Sequence, residues 1–143
     1  MAEESRPPQI EALQGALAGV HAALWAYGLL TPRLSDPDKA RARTAHGAHR
    51  RLRDHLERVI AEAEETPVAS AAGYSLPFEV TGRASARRLA AHVERGCAQV
   101  FGHLAGATSD PERRVFAARA LTACARRAVE WGGEQETFPG LTH

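Results

Sequence analysis

The sequence predicts an all-α chain, a four-helix bundle with a long crossover strap between helices 2 and 3. Three observations carry this reading. Apolar residues recur at three- and four-residue steps along most of the chain, which places them on one stripe of a helix. Two short breaks, Asp36-Pro37-Asp38 and Ser109-Asp110-Pro111-Glu112, have the make-up of a turn followed by a helix start. Between them, from Thr66 to Gly82, the helical pattern vanishes.

The first helix opens after Pro7-Pro8, since proline is tolerated where its missing N–H is not needed. Its stripe is Ile10, Leu13, Leu17, Val20, Leu24 and Tyr27. It fades between Thr31 and Ser35, because Pro32 disfavours helical geometry in the residue before it. The second helix runs from about Asp38 to Glu65. Its seam is Ala42, Ala45, His49, Leu52, Leu56, Val59 and Ala63, with Ile60 beside it. Pro67, Gly73, Pro77 and Gly82 punctuate the strap, where Tyr74, Leu76, Phe78 and Val80 alternate as an extended segment on an apolar surface would. Such a segment can reach on the order of 50 Å, against about 40 Å for a bundle helix, so it can run the length of a bundle. Ser85 is placed to cap the third helix, with Arg83 and Ala84 as alternative starts; its seam is Ala86, Leu89, Val93, Cys97, Val100 and Leu104. The fourth spans about Pro111 to Trp131, capped by Asp110 and stopped by Gly132-Gly133. Phe138 and Leu141 could pin the tail back onto the bundle.

At 143 residues the chain suits one domain with a full core, expected over residues 10–141 behind a flexible N-terminus at 1–9. A formal net charge of +1 gives no reason to expect a polyanion, and the arginines of the second helix lack interleaved aromatics, so no nucleic-acid partner is expected. The acidic, polar start does not resemble a signal peptide. Gln14 and His21 interrupt the first apolar helix, and no membrane partner is expected. Two cysteines, Cys97 and Cys124, suit a cytoplasmic protein with buried free thiols.

Residues equidistant from a hairpin turn lie at one height in an antiparallel pair. That puts His21 level with His49, and Cys97 level with Cys124. If the strap crosses the bundle, the second and third helices run parallel, and Glu94 joins the same layer. Di-metal carboxylate bundles build their sites in such a layer, from one Glu on each of two helices and Glu-x-x-His on each of the others. Here His46-Gly-Ala-His49 could converge on one divalent ion, with Glu94 or His21 completing the shell. Yet the first helix offers Val20 and His21, and the fourth offers Cys124-Ala-Arg-Arg127, whose arginine would repel a metal and pair with Glu94. A complete di-iron carboxylate set is absent. There is no phosphate-binding loop, dinucleotide fingerprint or Cys-x-x-Cys pair, and the serines fall in turns.

Ala12-Leu-Gln-Gly-Ala-Leu-Ala-Gly-Val-His-Ala-Ala-Leu-Trp-Ala-Tyr-Gly28 resembles the first helix of the actinobacterial ferritin-like proteins grouped as DUF4439. Ala48-His-Arg-Arg-Leu-Arg-Asp54, Tyr74-Ser-Leu-Pro-Phe78, Glu94-Arg-Gly-Cys97, Ala128-Val-Glu-Trp131 and Phe138-Pro-Gly-Leu141 follow in the same order. The resemblance implies a ferritin-like bundle and no established activity. It also implies a glutamate before the histidine of the first helix, where this chain has Val20.

The expectation is a non-catalytic, cofactor-free domain with a degenerate di-metal site, acting as a homodimer or through a protein partner. Two alternatives stand beside it. One is a single divalent metal held by His21, His46, His49 and Glu94; the other is a small apolar ligand in the bundle.

Overall fold

The computed structural model describes residues 7–132. Four helices, α1 (Pro8–Leu30), α2 (Asp38–Glu62), α3 (Arg83–Ala107) and α4 (Pro111–Glu130), carry the fold, and a 3₁₀ turn at Thr31–Arg33 extends α1. No strand occurs among the described residues. The expected tail contact through Phe138 and Leu141, most of the N-terminus expected to be flexible, and Gly133 lie outside the described residues.

The helix boundaries follow local chemistry. Pro8 occupies the first position of α1, and Asp110 Oδ1 caps α4 by accepting from Glu112 N at 3.2 Å. Ser85 caps α3 from inside its first turn, where Oγ accepts from Thr81 N at 2.8 Å and Gly82 N at 3.1 Å. The helix thus begins at Arg83, one of the two alternative starts. At α2 it is Asp36 whose carboxylate receives Ala40 N. Asp38, the other acidic residue of that turn, is buried, bound by Arg87 Nη1 at 2.7 Å and Arg83 Nε at 3.1 Å. Because α2 ends at Glu62, its seam closes on buried Ile60, and Ala63 is exposed.

The Asp38 ion pairs set the starts of α2 and α3 side by side, so these helices run parallel. Thr108 Oγ1 donates to Gln9 at 2.9 Å, setting the end of α3 beside the start of α1. α1 packs against α2 and α3, and α3 packs against α4. The side between α2 and α4 is the loosest, and an open groove of about 730 Å³ runs there, lined by Leu52, His55, Val115, Phe116, Ala120 and Arg127 among others.

Residues 63–82 join the halves without regular structure. Gln14 Nε2 donates to Thr66 O at 2.7 Å, Val68 N donates to Gln14 Oε1 at 2.8 Å, and Tyr74 packs on Trp25 with ring centroids 5.5 Å apart. Of the four residues expected to lie on an apolar surface, Val80 is buried, Tyr74 and Phe78 are half-buried, and Leu76 is exposed. A bend at Pro77-Phe78 breaks the alternation there.

By length and composition α1 with its 3₁₀ extension, Pro8–Arg33, could cross a membrane. In this fold it is the core helix instead. Ile10, Leu13, Leu17, Val20 and Tyr27 of the predicted stripe are buried, along with Ala16, Ala23, Ala26 and Leu30. Its small residues permit close approach: a Cβ on Gly19 would stand 3.0 Å from Val100 Cγ2 of α3.

Candidate functional site

A polar cluster lies in the middle of this core. Glu94 of α3, fully buried, presents its carboxylate to three neighbours. Arg127 Nε of α4 donates to Oε2 at 2.9 Å, and the Tyr27 hydroxyl of α1 donates to the same oxygen at 2.6 Å. His49 Nε2 of α2 stands 3.1 Å from both Oε1 and Oε2. Trp131 Nε1 in turn donates to the Tyr27 oxygen at 3.0 Å. Each helix of the bundle thus supplies one member.

The electrostatics follow from this packing. Burial alone would raise the Glu94 pKa, but the His49 hydrogen bond and the charges facing it outweigh that and hold the carboxyl below the usual glutamate range. Burial, reinforced by the Glu94 charge and hydrogen bond, drives the Tyr27 hydroxyl far above the ordinary phenol range. Burial opposes the Arg127 charge, and Glu94 more than restores it. Glu94 is therefore an ionised acceptor, and a carboxylate only accepts, so His49 Nε2 carries the hydrogen. His49 Nδ1 is buried and has no partner among the described residues.

Below Glu94, one helical turn along α3, sits Cys97. A ring nitrogen of His49 and the sulfurs of Cys97 and Cys124 all lie within 4.8 Å of one another. Both thiols are free and buried. Cys97 Sγ stands 3.5 Å from Gly19 O of α1, and Arg127 Nη2 is 3.5 Å from Cys124 Sγ. Hydrogen bonding with Cys124, then burial and the charge of Glu94, push the Cys97 pKa well above the ordinary thiol range.

The structure brings together His49 and Glu94 of the four residues expected at a metal. His21 faces outward to the connection, where Nε2 meets Val68 O at 3.0 Å. His46 is half-buried, makes no hydrogen bond among the described residues, and titrates below the ordinary histidine range because of burial and the charges of Arg50, His49 and Arg53. His21 has the height of the cluster, since Gly19 two residues before it meets Cys97, but a helix has an outside at every height. Tyr27, on the predicted apolar stripe, and Trp131, at the expected end of the fourth helix, are both hydrogen-bonding members of the cluster. The signal was available: a buried Tyr or Trp needs a partner for its polar atom.

A di-iron carboxylate centre does not fit these residues. Val20 is fully buried among apolar neighbours, Cys124 and Arg127 occupy the fourth helix, and the one carboxylate is held by an arginine. The arrangement nevertheless defines a class, the ferritin-like four-helix bundle. The chain belongs to the family described as Domain of unknown function (DUF4439), whose model matches residues 12–143. It is similar to a conserved hypothetical protein, rv2844, from Mycobacterium tuberculosis, with 30% identity and a TM-score of 0.85 over 90% of this chain and 97% of that one. It is also similar in fold to ferritin-like, diiron-carboxylate proteins from Bacillus anthracis str. Ames, with 14% identity and a TM-score of 0.75 over 90% of this chain and 96% of that one. A comparison with curated proteins gives no match.

Proposed function

We propose that this chain is a non-catalytic bundle that works by pairing with a second copy of itself, its ferritin-like metal layer converted into a buried ion-pair cluster. The observation that supports the first half is the Arg127–Glu94 pair at 2.9 Å, which uses the carboxylate a di-metal site would need. Two free buried cysteines suit a cytoplasmic setting.

The outer face of α4 supports the second half. Val115 is 49% exposed, and with Ala118, Thr122 and Ala123 it forms a shallow apolar stripe beside the α2–α4 groove. Two antiparallel copies of α4 crossing near Arg119 bring Glu112 of each opposite Arg126 of the other, and Val115 opposite Ala123, while the two Arg119 side chains splay apart from the axis into solvent. A C2 pair needs such reciprocity.

Sedimentation velocity over a wide concentration range tests the pairing. The expected result is a dimer, dissociated by Val115→Glu and by Arg126→Glu with helicity unchanged. A monomer at every concentration would overturn it.

A further inference from the structure

We propose that His49, Cys97 and Cys124 form a binding site for a single thiophilic metal ion of the copper(I) type. The proposal is independent of the pairing through α4. Two sulfurs and a ring nitrogen, from three different helices, already lie within 4.8 Å of one another. An ion that holds sulfur at ~2.3 Å keeps two sulfurs roughly 3.8–4.0 Å apart, so the donors need to close by less than an ångström or so.

The state of His49 is the second, independent observation. It is wholly buried, and its Nδ1 is the one buried side-chain polar atom without a partner among the described residues. A buried acceptor left empty is costly, on the order of 1–3 kcal/mol, unless something fills it. Glu94, by taking the Nε2 hydrogen, leaves the lone pair on Nδ1. Metal-bound histidines are oriented in this way, with a carboxylate on one ring nitrogen and the ion on the other.

The donor set selects the ion. Two thiolates and an imidazole are soft, which disfavours magnesium, calcium and manganese. Zinc wants a fourth ligand. Here the nearest carboxylate is committed to Arg127, Tyr27 and His49, and all three donors are at most 1% exposed, which keeps water away. A three-coordinate soft ion fits. On binding, two thiol protons pass to solvent, two sulfur–metal bonds and one nitrogen–metal bond form, and the ion stays monovalent. The resulting single negative charge faces Arg127, 3.5 Å from Cys124 Sγ. Arg127 also lines the open α2–α4 groove, which therefore ends one side chain from the sulfur.

The test uses the full chain, stripped of metal, with its thiols reduced and oxygen excluded. Copper(I) is titrated in competition with a chromophoric copper(I) chelator. One equivalent should bind per chain, with release of two protons and a rise in Tm. The Cys97→Ser/Cys124→Ser variant should bind at least about 100-fold more weakly, and Glu94→Gln about 10–100-fold more weakly at the same stoichiometry. His21→Ala should bind as the parent does. If the double variant fails to fold, Cys124→Ala replaces it, since alanine occupies most of the thiol's place and donates nothing. Binding no tighter in the parent than in the cysteine variants would overturn the site. Stoichiometric zinc with copper(I) refused would overturn the choice of ion.

Discussion

Arg127 Nε lies 2.9 Å from Glu94 Oε2, joining α4 to α3 through a carboxylate that has no exposure to solvent. Glu94 is fully buried and Arg127 partly so, and the losses on removing each partner should therefore not add. Removing one partner by Arg127→Met should cost about 3–5 kcal/mol, because an uncompensated charge remains inside. Glu94→Gln together with Arg127→Met should recover most of that loss. Urea denaturation of the two singles and the double would measure it, and additive losses would contradict the coupling.

Tyr27→Phe removes the hydroxyl that donates to Glu94 and accepts from Trp131 Nε1. The ring's packing survives, so the cost should be about 1–3 kcal/mol, the penalty for buried groups left without partners. Because the folded-state pKa of Tyr27 is raised, its contribution should be intact below the unfolded phenol value of ~10 and decline above it. The Tm difference between parent and Tyr27→Phe, followed into the alkaline range, should therefore shrink as pH rises.

Asp38 behaves with the opposite sign. Burial works against its charge, but hydrogen bonds from Arg87 and Arg83 overcome that and lower its pKa. Its contribution is then present above the unfolded aspartate value of ~3.9 and is lost as pH falls through the lower folded value. Parent and Asp38→Asn should differ in Tm at neutral pH and converge in acid. A gap that stays constant to low pH would count against the ion pairs.

His21→Ala should leave the bundle nearly as stable, within about 1 kcal/mol, since one part-buried hydrogen bond is lost. Its effect should be local. Amide exchange and proteolysis around Val68 should quicken, while the exchange of α3 stays as it was.

Much of this was legible in the residues. The periodic apolar stripes and the Asp110-Pro111 start placed α1 and α4 within a residue or two, because those features act over one or two turns. The Glu94–Arg127 pair followed from counting heights along parallel and antiparallel helices. What counting could not supply was direction around the axis. His21 has the height of the cluster but faces the connection, and only the path of residues 63–82 decides that. Tyr27 sits almost two turns from Val20 on the same stripe, yet its long side chain reaches Glu94, so the hydroxyl's partner was hidden by length rather than position. The same counting put His49, Cys97 and Cys124 in one layer, but their approach to within 4.8 Å was not legible, since the two cysteines look like small core residues in any seam.

The polar cluster takes Tyr27 and His49 from the α1–α2 hairpin, and Glu94, Arg127 and Trp131 from the remainder of the chain. Alanine-rich seams such as these would tolerate one hairpin sliding along the other, because one small residue replaces another at each step. The cluster does not tolerate it. A slip of a single turn, ~5.4 Å, would carry the phenol, the imidazole and the carboxylate out of reach of one another at once. The five residues act as a key that only one docking of the two hairpins can turn.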